Sequence, residues 1–199
     1  MPKKTMTISS PGIEPVEFDA EVLEQVANAL QHPTIRIKSG QIKDEYCNYN
    51  YEHKVALGVV NKYAVKSQVK FHPDLKAAFD KFNAHLAVIC EEVSPKEIRD
   101  IDTGEGTRQA TTDKLKTFSV DAFQLSGDAI ILIGEKLLTT GESVKLETPE
   151  INLEGDYDFS DELYNATLDL FDEILAYHDG SKKAPDPQQE IQFAPEIAD

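Results

Sequence analysis

Few side chains in this sequence have the types and spacing that catalysis or metal binding uses. Asp102-Thr103-Gly104 is the tripeptide that seats the aspartates of two-carboxylate proteolysis. That chemistry needs the aspartate held beside a second carboxylate, so that the pair shares one proton. Here it lies in the charged run SPKEIRDIDTGEGTRQATTDK, with no apolar strand leading into it. Gly104-Glu105-Gly106-Thr107 is too short and too acidic to cradle a phosphate. Cys47, His53, His72, His85 and Cys90 are zinc-ligand types, but none of them has C-x-x-C or H-x-x-x-H spacing. Neither cysteine has a supporting motif for thiolate catalysis. The acids Asp156, Asp158, Asp161 and Glu162 suit a helix N-terminus facing its dipole, and Asp169, Asp172 and Glu173 suit a solvated helix face. No acid, base and nucleophile converge, so the chain is expected to be non-enzymatic, without cofactor or metal.

Binding is better represented. Arg36, Lys38, Lys43, Lys54, Lys62, Lys66 and Lys70 face only Asp44, Glu45 and Glu52 in the same stretch. Tyr46, Tyr49, Tyr51 and Tyr63 are interleaved with them. Lysines that track phosphates beside rings that stack on bases are how single-stranded nucleic acid is held. Cys47, Tyr49 and Tyr51 share one parity and Tyr63 falls on the apolar side of its strand, the alternative being that these rings are core. Tyr46 is then the ring most available to a base. The stretch QQEIQF near the C-terminus supplies Gln188, Ile191 and Phe193, a glutamine and two apolar side chains at the spacing of a loose sliding-clamp-binding hexapeptide. It has Gln192 where the stronger form has a leucine beside the aromatic.

The elements that must position these residues are legible from periodicity. EFDAEVLEQVANALQ, residues 17–31, has helical spacing with Asp19 as N-cap. Residues 34–55 are strand material punctuated at Ser39-Gly40, and VNKYAVKSQVKF alternates as a half-buried strand with a lysine face. FHPDLKAAFDKFNAHLAVICEEV predicts one helix over 71–93, capped by His72 with Pro73 at its first position. Residues 94–114 are expected to form a mobile loop. Three antiparallel strands follow in 115–149, with turns at Ser126-Gly127-Asp128 and Thr140-Gly141-Glu142. A second helix over 159–180 ends at Gly180. The expected fold class is α+β: a mainly antiparallel sheet against two or three helices. Residues 1–16 are read as an extension, 17–180 as one domain and 181–199 as a disordered acidic tail.

The 199 residues carry a net charge of −16, and it is uneven. Residues 117–199 hold nineteen Asp/Glu against four Lys/Arg, which excludes wholesale wrapping of nucleic acid by the C-terminal half. The apolar run AIILIG is too short to span a bilayer, and MPKKTMTISSPG has no apolar run of a signal peptide. Two cysteines outside any paired framework indicate reduced thiols. The expected location is the cytoplasm of a bacterial host, with no membrane partner and no oligomeric state indicated.

HPDLKAAFDKFNAHLAVIC, preceded by QIKDEYCNYNYEH and followed by F-x-L-S-G, an apolar strand and a final T-P, resembles uncharacterised small phage and mobile-element proteins of gut bacteria. The resemblance covers residues 34–180. It implies an order of strands, an H-x-D-L helix, a strand meander, a C-terminal helix and an acidic tail, and it carries no activity. The leading expectation is an accessory protein of DNA metabolism that binds single-stranded nucleic acid weakly. Its acidic tail would recruit a replication or host protein. The alternatives are an acidic protein that blocks a host or defence protein by mimicking DNA, and a protein that sequesters a small molecule.

Overall fold

The computed structural model describes residues 5–8, 16–19, 34–56, 59–103 and 108–185. The chain divides into two compact units, residues 1–36 with 51–63 and residues 37–50 with 64–199. β1 (Thr5–Ile8) and β2 (Val16–Asp19) pair antiparallel, with Thr5 opposite Asp19 and Ile8 opposite Val16. Residues 17–19 of the expected helix are therefore strand. Val16 and Phe18 alternate with Glu17 and Asp19, and that period of two prevails. The rest of that helix, residues 20–31, lies outside the described residues.

β3 (Thr34–Lys43), β4 (Tyr46–Ala56) and β5 (Val59–Lys70) follow. Ser39-Gly40 lies inside β3, and the turn falls at Asp44-Glu45, where Asp44 takes the left-handed φ of 55° that aspartate tolerates. Gly40 answers packing instead: a Cβ there would lie 2.7 Å from Phe123 Cε1 and 3.3 Å from Ile174 Cδ1. His72 caps the next helix, its Nδ1 accepting from the Asp74 amide at 3.2 Å, with Pro73 in the first turn.

The single helix expected over 71–93 is two, α1 (Pro73–Asp80) and α2 (Asn83–Ile89), broken at Lys81-Phe82. Asn83 explains the restart. Its Oδ1 accepts from the Val120 amide at 2.8 Å, beside the register shift between Val120 and Ala122. A bulge leaves the ladder locally disrupted, and the asparagine satisfies the donor at its edge.

The segment 94–114, expected as loop, carries α3 (Pro95–Thr103) and α4 (Arg108–Leu115). A capping box starts α3: the Ser94 amide donates to Glu97 Oε2 at 2.8 Å, and the Glu97 amide donates to Ser94 Oγ at 3.3 Å. Asp102 and Thr103 are the end of that helix, and Gly104 lies outside the described residues. The remaining elements are β6 (Phe118–Ser126), β7 (Ala129–Leu137), β8 (Ser143–Glu147), β9 (Ile151–Asn152) and α5 (Ser160–Asp179), with turns at 126–128 and 140–142 as expected. Gly180 closes α5 in the left-handed conformation, φ 78°.

The architecture is α+β. One sheet runs β5-β4-β3-β6-β7-β8, with β9 beside β7. β6 pairs antiparallel with both β3 and β7, and β7 with β8. Phe79, Phe82 and Leu86 of the α1–α2 region and Leu163, Leu170 and Ile174 of α5 are fully buried, as are Val120, Ile130 and Leu132 of the sheet. Phe123 on β6 has its ring 6.1 Å from Phe79 and 5.9 Å from Phe171, joining α1 and α5 to the sheet. Burying each of these large side chains contributes about 1.5–3 kcal/mol before the cost of ordering it.

His85 on α2 is 8% exposed and packs between Phe82 and Tyr157. Burial pushes its imidazole down to about 4, against a smaller opposing pull from Glu162. Its native pKa lies below the unfolded value near 6.5, so between those values the unfolded chain binds a proton that the native chain does not. Stability present at neutral pH is therefore lost as pH falls from about 6.5 toward 4, by on the order of 3 kcal/mol. Urea midpoints at pH 7 and pH 4 measure it. His85→Gln should shrink the difference between the two, and an unchanged difference would refute the assignment.

Candidate nucleic-acid interface

The helices cover one face of the sheet in the larger unit. Phe123 lies on the covered face and pairs with Gly40, so their neighbours Ser39, Gln41, Ala122 and Gln124 point to the other side. Tyr49 also belongs to the covered face, its hydroxyl 2.7 Å from His178 Nδ1 on α5. Asn48 and Asn50 alternate with it, and Asn50 Nδ2 donates to Ser39 Oγ at 2.8 Å across the uncovered face. On β5 the Tyr177 hydroxyl donates to Ser67 Oγ and to the Val69 carbonyl, which turns Lys66 and Lys70 outward. A groove of ≈ 360 Å³ runs over this face, with Ser39, Gln41, Asn48, Asn50, Lys66 and Gln124 among its lining residues.

Of the predicted site residues, the uncovered face gathers Lys43, Tyr46, Lys66 and Lys70. Lys43 and Lys66 are exposed and have no ion-pair partner among the described residues. Lys70 pairs with Glu45, whose carboxylate holds its ammonium above the ordinary lysine range. Tyr46 is half-buried beside Lys70. Lys38 is half-buried, and its neighbour Ile37 is fully buried although it has the parity of Ser39 and Gln41, so strand parity assigns Lys38 to neither face. In the smaller unit Arg36, Lys54 and Lys62 are exposed, and Lys62 lies 3.6 Å from Glu52. Tyr51 and Tyr63 stack on each other there at 5.0 Å, with their planes 19° apart. Tyr51 is thus committed to a partner ring. Gln188, Ile191 and Phe193 lie outside the described residues.

Sequence reasoning weighed lysines and rings and passed over the amides. The signal was present in Asn48-x-Asn50 flanking Tyr49, in Gln41 and in Gln124, all on the side opposite Gly40, Tyr49 and Phe123. Each amide both donates and accepts, so the row can bond base edges of any sequence. Among the described residues no group of three or more His, Cys, Asp or Glu is placed to hold a metal ion. Cys47 is sealed in the core, and burial pushes its thiol up to about 12. No helix among the described residues is long and apolar enough to cross a membrane.

No known family model matches the chain, and neither a curated protein nor a solved structure matches it.

Proposed function

We propose that this chain is a non-enzymatic accessory protein, of phage or mobile-element type, that holds single-stranded nucleic acid weakly on the uncovered face of its sheet. The observation that carries this reading is the groove itself: an open sheet face lined by four amides, with Lys66 at its edge. Lys43, Lys66 and Lys70 would meet phosphates, the amides would bond exposed base edges, and Tyr46 would offer a ring. Few cations are engaged and the chain carries −16, which limits the affinity. Gln188, Ile191 and Phe193 would engage a replication or host protein.

Fluorescence anisotropy of a labelled single strand tests this. The full chain is expected to bind at low salt, with affinity falling as salt rises. Lys43→Glu with Lys66→Glu should abolish binding, and neutralising the same two should flatten the salt slope by ~1.4. A chain ending at Pro185 should bind more tightly, because the acids beyond it no longer compete. Absence of binding by both chains at low salt would sink the proposal.

A further inference from the structure

A second, smaller site stands apart from that face. Ala84, His85 and Val88 of α2, Ile98 of α3, and Tyr157 and Phe159 before α5 enclose a pocket of ≈ 180 Å³, with Glu162 on its wall. An apolar cavity of about 150 Å³ takes one benzene ring, so this pocket has room for a single ring. We propose that it binds a small monocyclic organic cation, its ring held by the apolar walls and its ammonium between Glu162 and His85.

The polar groups define that chemistry. His85 Nδ1 lies 3.0 Å from the Tyr157 hydroxyl, which accounts for one ring nitrogen. Nε2 has no partner among the described residues. It is also not sealed away, since the one sealed, unpartnered side-chain nitrogen among them is His53 Nε2. A histidine that is more than nine-tenths buried thus keeps an open hydrogen-bonding position where it lines a pocket. Its depressed pKa keeps the ring neutral at pH 7. In the tautomer that carries its hydrogen on Nδ1 and donates it to the Tyr157 oxygen, which the proposal assigns, Nε2 presents a lone pair, the right partner for an N–H donor. Tyr157 keeps its proton, because burial and the charges of Glu162 and Asp158 raise its phenol above the ordinary range.

The charges favour a cation over an anion. The Glu162 carboxylate is exposed and has no ion-pair or hydrogen-bond partner among the described residues. The nearby cation, Arg99, lies over the Phe159 ring at 5.5 Å and is matched by Asp158 at 3.1 Å. Val88 and Tyr157 also line an adjoining cleft of ≈ 520 Å³, whose acids are Glu91, Glu150, Asp156 and Asp158. The way into the pocket is therefore apolar underfoot and negative at the rim. A neutral imidazole, a free carboxylate and aromatic walls form a receptor for an ammonium on a ring.

The test is titration of the isotope-labelled full chain, followed by NMR of the His85 ring, with benzylammonium, benzyl alcohol and benzoate as probes. Benzylammonium should shift the ring signals with a Kd on the order of 1 mM, the affinity that ligand efficiency allows so small a probe. Benzyl alcohol should bind about tenfold more weakly, as expected for loss of a charge-assisted hydrogen bond, and benzoate should not bind. Glu162→Gln, at an exposed position, should erase the preference for benzylammonium over the alcohol. Ala84→Leu, which fills the pocket from its wall, should block both. Benzoate binding as well as benzylammonium would overturn the proposal. So would silence with all three probes, an unchanged preference in Glu162→Gln, or undiminished binding in Ala84→Leu.

Discussion

Gly134→Ala is expected to destabilise the chain by about 3 kcal/mol, an unusually large effect for adding one methyl group. Gly134 lies on β7 opposite Val120, next to the bulge on β6. A Cβ built at Gly134 would overlap the Ser119 carbonyl oxygen and sit 2.9 Å from Leu86 Cδ2. The first obstacle is backbone, which cannot rotate away, and the second is a fully buried leucine of α2. The chain must therefore open the β6–β7 pairing or push α2 off the sheet. The bulge is also where Asn83 Oδ1 receives the Val120 amide, so a shift there costs a side-chain hydrogen bond as well. The denaturant midpoint should fall with the m-value unchanged. A loss below ~0.5 kcal/mol would mean that the strands yield freely at this point.

Phe82→Ala should cost about 3–5 kcal/mol, the range for truncating a buried phenylalanine. Phe82 is fully buried and stands in the break between α1 and α2, where its amide donates to the Phe79 carbonyl and its carbonyl accepts from the Leu86 amide. The ring also lies 6.4 Å from that of His85. Its removal leaves a hole that the turn cannot close without moving one helix end. Phe82→Leu fills most of that volume and should cost well under half as much. Equal losses for the two variants would show that the site tolerates no repacking. A loss below ~1 kcal/mol for alanine would remove Phe82 from the core.

How far the sequence reveals this molecule depends on the range of the interactions. The β6–β7–β8 meander, α5 with Gly180, and the cap made by His72 and Pro73 were legible because each rests on residues a few positions apart. The break at Lys81-Phe82 was not, since Asn83 starts α2 on account of an amide on β6, 37 residues further on. The helices at 95–103 and 108–115 hid behind polar composition, although Ser94-Pro95-Lys96-Glu97 spells a capping box. The turn at Asp44-Glu45 was obscured by the nearer glycine, which serves Phe123 and Ile174 instead. The outward parity of Lys66 and Lys70 was legible from the alternation of residues 60–71, and that of Tyr46 from its neighbours Cys47 and Tyr49. The pocket at His85 depends on a contact with Tyr157, 72 residues away, that no spacing announces.

The chain that leaves α5 does not leave freely. Lys182 bonds both Asp74, at 3.0 Å, and Glu173, at 2.6 Å, and the Ala184 amide donates to the Lys70 carbonyl at 3.4 Å. The fourteen residues after Pro185 therefore start from a fixed anchor at the end of β5, next to the face that bears Lys66 and Lys70. If the acids of those residues compete for that face as proposed, they would do so at an effective concentration in the mM range, however dilute the protein. On the proposed reading, a ligand of the face would have to outcompete that segment, and apparent affinity would depend on tether length as much as on contacts. Lengthening the segment with neutral residues would relax that competition by geometry alone, with every residue of the folded part left in place.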